Sequence, residues 1–169
     1  MKQNKIKIKA GFSLIELIVA IGLIGVGLLS VASLAAQNVR VQYYNRNSLI
    51  SSQLAQEGLE LARNIRDNNW KATSSTTTLS ELFAAKFIVD YTGTYQGYAV
   101  ASETPPLMID SSGYYQYVGE STTTFRRFLT STCVSSSYEY CKIDCYISWQ
   151  GAGQSGTYQA QGYIYDWQK

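Results

Sequence analysis

The chain has 169 residues, enough for one compact domain and one anchoring element. Charged residues make up only 15% and aromatic residues 13%, which excludes the compositions typical of disordered chains and coiled coils. Histidine is absent, so the commonest general base and the commonest metal ligand are missing, and we expect no enzyme, no metal site and no cofactor.

The first eleven residues form a short basic segment. Four lysines precede Phe12. Without them the chain has ten basic and 12 acidic side chains, so its net charge is −2 instead of +2. This balance predicts no strong attraction to nucleic acid. The lysines are Lys2, Lys5, Lys7 and Lys9.

An apolar run follows the basic segment. No charged side chain occurs from Leu17 to Ala36, and these 20 residues would span about 30 Å as a helix, the thickness of a bilayer core. An ordinary signal peptide has a shorter apolar region that ends at a small-residue cleavage site. The run therefore predicts a single membrane-spanning helix, and the lysines predict that its N-terminus stays cytoplasmic while the rest is exported.

Glu16 is an acidic residue next to this apolar run. A carboxylate within a membrane-length helix costs several kcal/mol unless it has a partner. Glu16 lies four residues after Phe12. If the chain were cut before Phe12, the new α-amine of a neighbouring subunit would pair with Glu16, favour assembly and fix the stagger between subunits.

The helical pattern continues beyond the apolar run. Its apolar residues recur at i, i+4, i+11 and i+15, which places them on one face of a helix. We predict one helix from about Phe12 to Asp67, hydrophobic over 12–36 and amphipathic over 37–67. The apolar stripe is Ile50, Leu54, Leu61 and Ile65, and the opposite face carries Glu57, Glu60, Arg63 and Asp67.

Residues 68–169 are predicted to form a globular antiparallel β domain. Its strand-like segments are rich in tyrosine, threonine and β-branched residues. The apolar face of such a sheet needs a partner, and the helix stripe supplies one, so the fold class is α+β with the second half of the helix packed on the sheet. The predicted strands are Tyr95–Ala101, Tyr114–Val118, Thr123–Val134, Tyr140–Trp149 and Thr157–Trp167.

Other local patterns complete the domain. Leu79–Phe87 is predicted as a short helix, and Pro105-Pro106 argues against a central strand. Turns are expected at Asp110–Gly113 and Gly151–Gly156. Arg126 and Arg127 are adjacent in a strand, so their side chains point to opposite faces and make a poor anion clamp.

The three cysteines leave the pairing open between two possibilities. Cys141 and Cys145 lie four residues apart in a strand, about 13 Å, too far for a bond, so Cys133 belongs to any intrachain disulfide. If residues 135–139 form a hairpin loop, Cys133 faces Cys141 and Cys145 remains a buried thiol. This pairing is favoured, whereas Cys133–Cys145 needs a longer loop or a shifted register. The favoured register also places Leu129 opposite Cys145 and Phe125 opposite Trp149.

The segment Gly11-Phe12-Ser13-Leu14-Ile15-Glu16 resembles the processing motif of type IV prepilins and type II secretion pseudopilins. The resemblance implies that prepilin peptidase cuts after Gly11 and N-methylates Phe12, and that Glu16 supports assembly. It covers about the first 60 residues, and the later segments Ile24–Leu29 and Leu54–Glu60 look like the subgroup of small proteins that includes minor pilins. Many pilins have a proline in the membrane part of the helix, and this chain has none before Pro105.

The resemblance implies a structural subunit of a type IV pilus or pseudopilus. Its partners would be other pilins or copies of itself, prepilin peptidase, the inner-membrane assembly platform and, before assembly, membrane lipid. It would end in a cell-surface or periplasmic filament. A membrane-anchored extracytoplasmic binding domain that does not polymerise is the alternative. Major or minor subunit, pilus or pseudopilus, and any surface ligand stay open.

Overall fold

The computed structural model describes residues 11, 13–71, 83, 85–92, 95–97, 104–134, 140–151 and 153–165. It has the expected α+β layout, one long N-terminal helix followed by an antiparallel sheet. The chain divides into two compact units, Met1–Tyr43 and Tyr44–Lys169. The elements are α1 (Leu14–Lys71), β1 (Lys86–Val89), β2 (Tyr95–Gly97), β3 (Pro106–Ile109), β4 (Tyr115–Gln116), β5 (Ser121–Val134), β6 (Tyr140–Gly151) and β7 (Gln154–Tyr165).

Helix α1 ends at Lys71, beyond the predicted stop at Asp67. Side-chain contacts across its last turns explain the extension. The Arg66 guanidinium lies 4.5 Å from the centre of the Trp70 ring. Asn68 Nδ2 donates to Asn64 Oδ1 at 2.6 Å, and Lys71 places a positive charge in the last turn, where the helix dipole favours it.

The sheet is organised around β5. One edge of β5 pairs with β6, from Phe125 opposite Trp149 to Val134 opposite Tyr140, and β6 pairs in turn with β7. Its other edge is shared by β3 near the start of the strand and β1 near its end. The short strands β4 and β2 complete these two hairpins.

Two of these strands contradict the sequence predictions. The short helix predicted at Leu79–Phe87 is wrong at its end, where β1 begins at Lys86, while 79–82 and 84 lie outside the described residues. A strand also begins at Pro106, between β4 and β5. A proline is tolerated there because it is the first residue of the strand, and the register shifts between Pro106 and Met108.

The predicted turns lie in or near two hairpins. At Asp110–Gly113, the Gly113 amide donates to Asp110 O at 3.1 Å, and Asp110 Oδ1 accepts from Ser112 N at 2.8 Å. Gly113 has a φ of 88°, a backbone angle that glycine adopts without a steric penalty. The second turn is tighter than predicted, because the β6–β7 pairing continues to Gly151 opposite Gln154.

Small side chains bring α1 close to the sheet. Of the predicted stripe, Leu54 is buried, whereas Ile50, Leu61 and Ile65 are only partly buried against the core. A Cβ atom on Gly58 would lie 2.8 Å from Cys145 Sγ and 3.2 Å from Arg127 Cδ. The buried face is therefore rotated from the predicted stripe and includes the small residues Ser51, Ala55, Gly58 and Ala62. Its buried residues are Asn47, Ser51, Leu54, Ala55, Gly58, Leu59 and Ala62.

Arg127 is a fully buried guanidinium that joins three elements. Its Nη1 donates to Leu54 O at 3.2 Å and to Glu57 Oε1 at 3.0 Å, both on α1. Its Nη2 donates to Val89 O of β1 at 2.8 Å. Arg126 is exposed, so the prediction that the two arginines face opposite sides is confirmed. The inward arginine connects α1, β1 and β5.

A disulfide joins Cys133 and Cys141 directly across the β5–β6 ladder. In the same register Leu129 faces Cys145, as the hairpin prediction requires. The connecting residues 135–139 lie outside the described part of the chain. Cys145 is a buried free thiol, and this burial raises its pKa to about 12. At neutral pH it is therefore an unreactive core side chain.

Replacing both Cys133 and Cys141 by serine should lower the free energy of unfolding by about 2–3 kcal/mol, because the bridge closes a short loop in the unfolded chain. The two residues are separated by 8 positions. Urea unfolding of the full chain in detergent micelles measures the change. A reductant should lower the wild-type midpoint to that of the double variant and leave the variant unaltered. An unchanged wild-type midpoint in reductant would contradict the prediction.

Candidate processing and assembly segment

The segment before α1 contains the predicted cleavage site. Gly11 is exposed and does not belong to the helix, and the same holds for Ser13. Phe12, the predicted site of N-methylation, lies outside the described residues. The helix starts where Ser13 O accepts hydrogen bonds from Glu16 N at 3.0 Å and from Leu17 N at 3.2 Å. Gly11 therefore lies in a part of the chain that is not held in the helix.

Glu16 lies in the first turn of α1 and is exposed. The helix dipole favours a carboxylate at this end. The side chains that line a shallow groove beside it are apolar: Ile15, Val19, Ala20 and Leu23. The carboxylate is thus a single polar group on an apolar surface.

Glu16 has no cationic side chain within reach among the described residues of its own unit. The next charged residue is Arg40, 24 positions further, or about 36 Å along a helix. Such a distance excludes an ion pair within α1. The described part of α1 therefore offers Glu16 no cationic partner, while the lysines before Phe12 lie outside the described residues.

Helix α1 presents a largely apolar surface from Leu14 to Ala36. Every residue from Ser13 to Gln42 is exposed, including the large apolar side chains. By length and composition alone, α1 is able to cross a membrane, and it is the one such helix in the described part of the chain. A helix that is apolar on all sides needs lipid or other helices around it.

Residues 6–32 match a family model described as the prokaryotic N-terminal methylation motif. The match includes Gly11, Phe12 and Glu16, and it supports the type IV prepilin and pseudopilin family without separating minor pilins from other members. No curated protein and no solved structure matches the chain. The family is thus supported by the N-terminal segment, and the properties of the globular unit follow from its own geometry.

The other predicted site residues lie elsewhere. Cys133, Cys141 and Cys145 belong to the sheet of the globular unit, so their disulfide and buried thiol are separate from the processing segment. The network of Arg127 was not predicted from the sequence. Its signal was present, because Arg127 alternates with Phe125 and Leu129 on the face of β5 that is buried.

Proposed function

We propose that this chain, which carries the N-terminal methylation motif of type IV prepilins and pseudopilins, is a structural subunit of a type IV pilus or pseudopilus. Residues 1–11 are a leader that is removed. Residues 12–36 form the helix that first spans the membrane and then packs in the filament core. Residues 37–67 continue it as an amphipathic helix, and 68–169 are the globular domain.

Maturation has two chemical steps in this proposal. Prepilin peptidase hydrolyses the bond between Gly11 and Phe12 with a water molecule. It then transfers a methyl group from a sulfonium methyl donor, which leaves as a thioether, to the new α-amine of Phe12, which loses a proton. Before assembly the subunit lies in the membrane with its N-terminus on the cytoplasmic side. It then joins other pilins at the inner-membrane assembly platform and is displayed in a cell-surface or periplasmic filament.

The observation that carries the proposal is the isolated carboxylate of Glu16 on an exposed apolar helix. In a permanent anchor this carboxylate stays in or near lipid without a partner, at a cost of several kcal/mol. In a filament the α-amine of Phe12 from a neighbouring subunit supplies the opposite charge. A membrane-anchored domain that never polymerises offers Glu16 no such partner.

N-terminal sequencing and mass measurement of filaments sheared from cells test the proposal. We expect a chain that begins with N-methylated Phe12 and lacks residues 1–11. A Gly11→Val variant, with a bulkier side chain at the cleavage site, should keep its leader and form no filament. Intact Met1 in cells that possess the peptidase would refute the proposal.

A further inference from the structure

The sheet has a second face, turned away from the α1 residues of the globular unit, which we name the outer face. Alternate residues of β5, β6 and β7 occupy it in rows, because the three strands pair in one continuous register. One row is Arg126, Ser148 and Thr157, and the next row is Phe128, Tyr146 and Gln159. These rows place side chains of different chemistry side by side.

A hollow of about 280 Å³ lies at the Arg126 end of the outer face. Its lining is unusually rich in hydroxyl groups, with four of them beside one amide and one guanidinium. The volume is just below the range of about 300–1,000 Å³ for drug-sized ligand sites, which suits a single sugar unit. The polar lining side chains are Thr124, Arg126, Ser148, Gln150, Ser155 and Thr157.

The guanidinium gives this polar hollow a positive charge. Arg126 is exposed, and its Nη1 donates to Thr104 O, a neutral acceptor that leaves the charge in place. Among the described residues no carboxylate forms an ion pair with Arg126. Lys142, which is also on the outer face, already pairs with Asp144 at 3.0 Å. The polar hollow is therefore complementary to an anion.

An aromatic pair lies on the outer face in the row next to Arg126 and Ser148. The rings of Phe128 and Tyr146 stack with centroids 4.9 Å apart and an angle of 12° between their planes. Tyr146 Oη also accepts a hydrogen bond from Gln159 Nε2 at 3.1 Å. The pair lies two residues along the strands from Arg126 and Ser148, or about 7 Å. It offers an apolar edge for the C–H groups of a ligand that enters the hollow.

We propose that the polar hollow binds a carboxylated saccharide. The Arg126 guanidinium pairs with the carboxylate, the hydroxyl and amide groups bond the sugar hydroxyls, and Phe128 and Tyr146 border the ring. Nucleic acid fits less well, because it needs several cations along a groove and the hollow has one. A protein partner would need a larger apolar centre than this polar lining provides.

Binding of the full chain in detergent micelles to immobilised polysaccharides tests the proposal. The probes are polygalacturonate, alginate and hyaluronate. All three carry sugar carboxylates, and they represent plant, microbial and animal sources. We expect binding to at least one of them, and none to dextran or to methyl-esterified polygalacturonate. Because monomers in micelles are measured, failure of this test is distinct from failure of filament assembly.

Arg126→Gln should weaken this binding roughly tenfold or more, since it removes a charge-assisted hydrogen bond. The matched control is Arg63→Gln, which makes the same charge change on α1, where Arg63 pairs with Glu60. Thr157→Glu should abolish binding by repulsion, whereas Thr157→Gln should retain it.

Four results would overturn the proposal. Three of them are absence of binding to all three acidic polysaccharides, equal binding to dextran, and equal losses of binding in Arg126→Gln and Arg63→Gln. Equally tight binding of duplex DNA through Arg126 would also overturn it, because the hollow would then be a general anion site. Saccharide binding that Arg126→Gln weakens and Arg63→Gln preserves supports it.

Discussion

Glu16→Ala is expected to abolish filament formation while the chain is still cut and still inserted in the membrane. The substitution acts on both sides of the assembly equilibrium. It removes the penalty of a carboxylate beside lipid, which stabilises the unassembled subunit, and it removes the partner that we propose for the Phe12 amine in the filament, which destabilises the assembly. Each effect amounts to several kcal/mol per subunit, and both disfavour assembly.

Electron microscopy and immunoblots of sheared and membrane fractions measure the result of Glu16→Ala. We expect the variant in the membrane fraction, with its leader removed, and none in the sheared fraction. Glu16→Gln, which keeps the shape and loses the charge, should fail in the same way. Glu60→Ala is the matched control, because Glu60 is also an exposed acid of α1 but lies outside the apolar run. Wild-type amounts of Glu16→Ala filament would favour the anchored, non-polymerising alternative.

The N-terminal features were predictable because they are local in sequence. Gly11, Phe12 and Glu16 lie within six consecutive residues, and the apolar run needs no tertiary information. The β5–β6 register could also be predicted from the sequence, because the position of one hairpin loop and the period of two along a strand determine every opposite pair. Once Cys133 is placed opposite Cys141, the same register places Leu129 opposite Cys145.

The missed strands depend on contacts that the sequence does not display. Strands β1 and β3 each have only four residues, and both pair with the same edge of β5. A segment of this length has too few positions to show a period, and Pro106 at the start of β3 weakens the signal further.

The buried face of α1 was predicted from its large apolar residues, whereas close packing selected small ones. Ser51, Ala55, Gly58 and Ala62 follow the spacing of one helix face, but their small size gives a hydrophobic pattern little weight. Their role becomes clear only beside the sheet, where Gly58 leaves room for Cys145 and Arg127. The space they provide is occupied in part by a charged side chain, and a hydrophobic pattern does not predict such a residue in a core.

Arg127→Ala is expected to lower the free energy of unfolding of the globular unit by about 3–5 kcal/mol, the usual effect of breaking a buried charged network. The substitution removes the side-chain donor that Arg127 supplies to the carbonyl groups of Leu54 and Val89, and it opens a cavity between α1 and the sheet. A domain of this kind is stable by only about 5–15 kcal/mol in total, so the loss is a large fraction. Urea unfolding of the full chain in micelles, followed by near-ultraviolet circular dichroism, measures it.

Two further variants separate the parts of the Arg127 network. Glu57→Gln removes the ion pair but keeps an acceptor, and because the Glu57 side chain is 38% exposed we expect a loss below about 1 kcal/mol. Arg127→Met fills most of the volume but supplies no donor to the two carbonyl groups, so its loss of stability should lie between those of Glu57→Gln and Arg127→Ala. If Glu57→Gln were as damaging as Arg127→Ala, the ion pair would be the main link. If the losses of stability follow the predicted order, the carbonyl oxygens of α1 and β1 are the groups that require an arginine at this position.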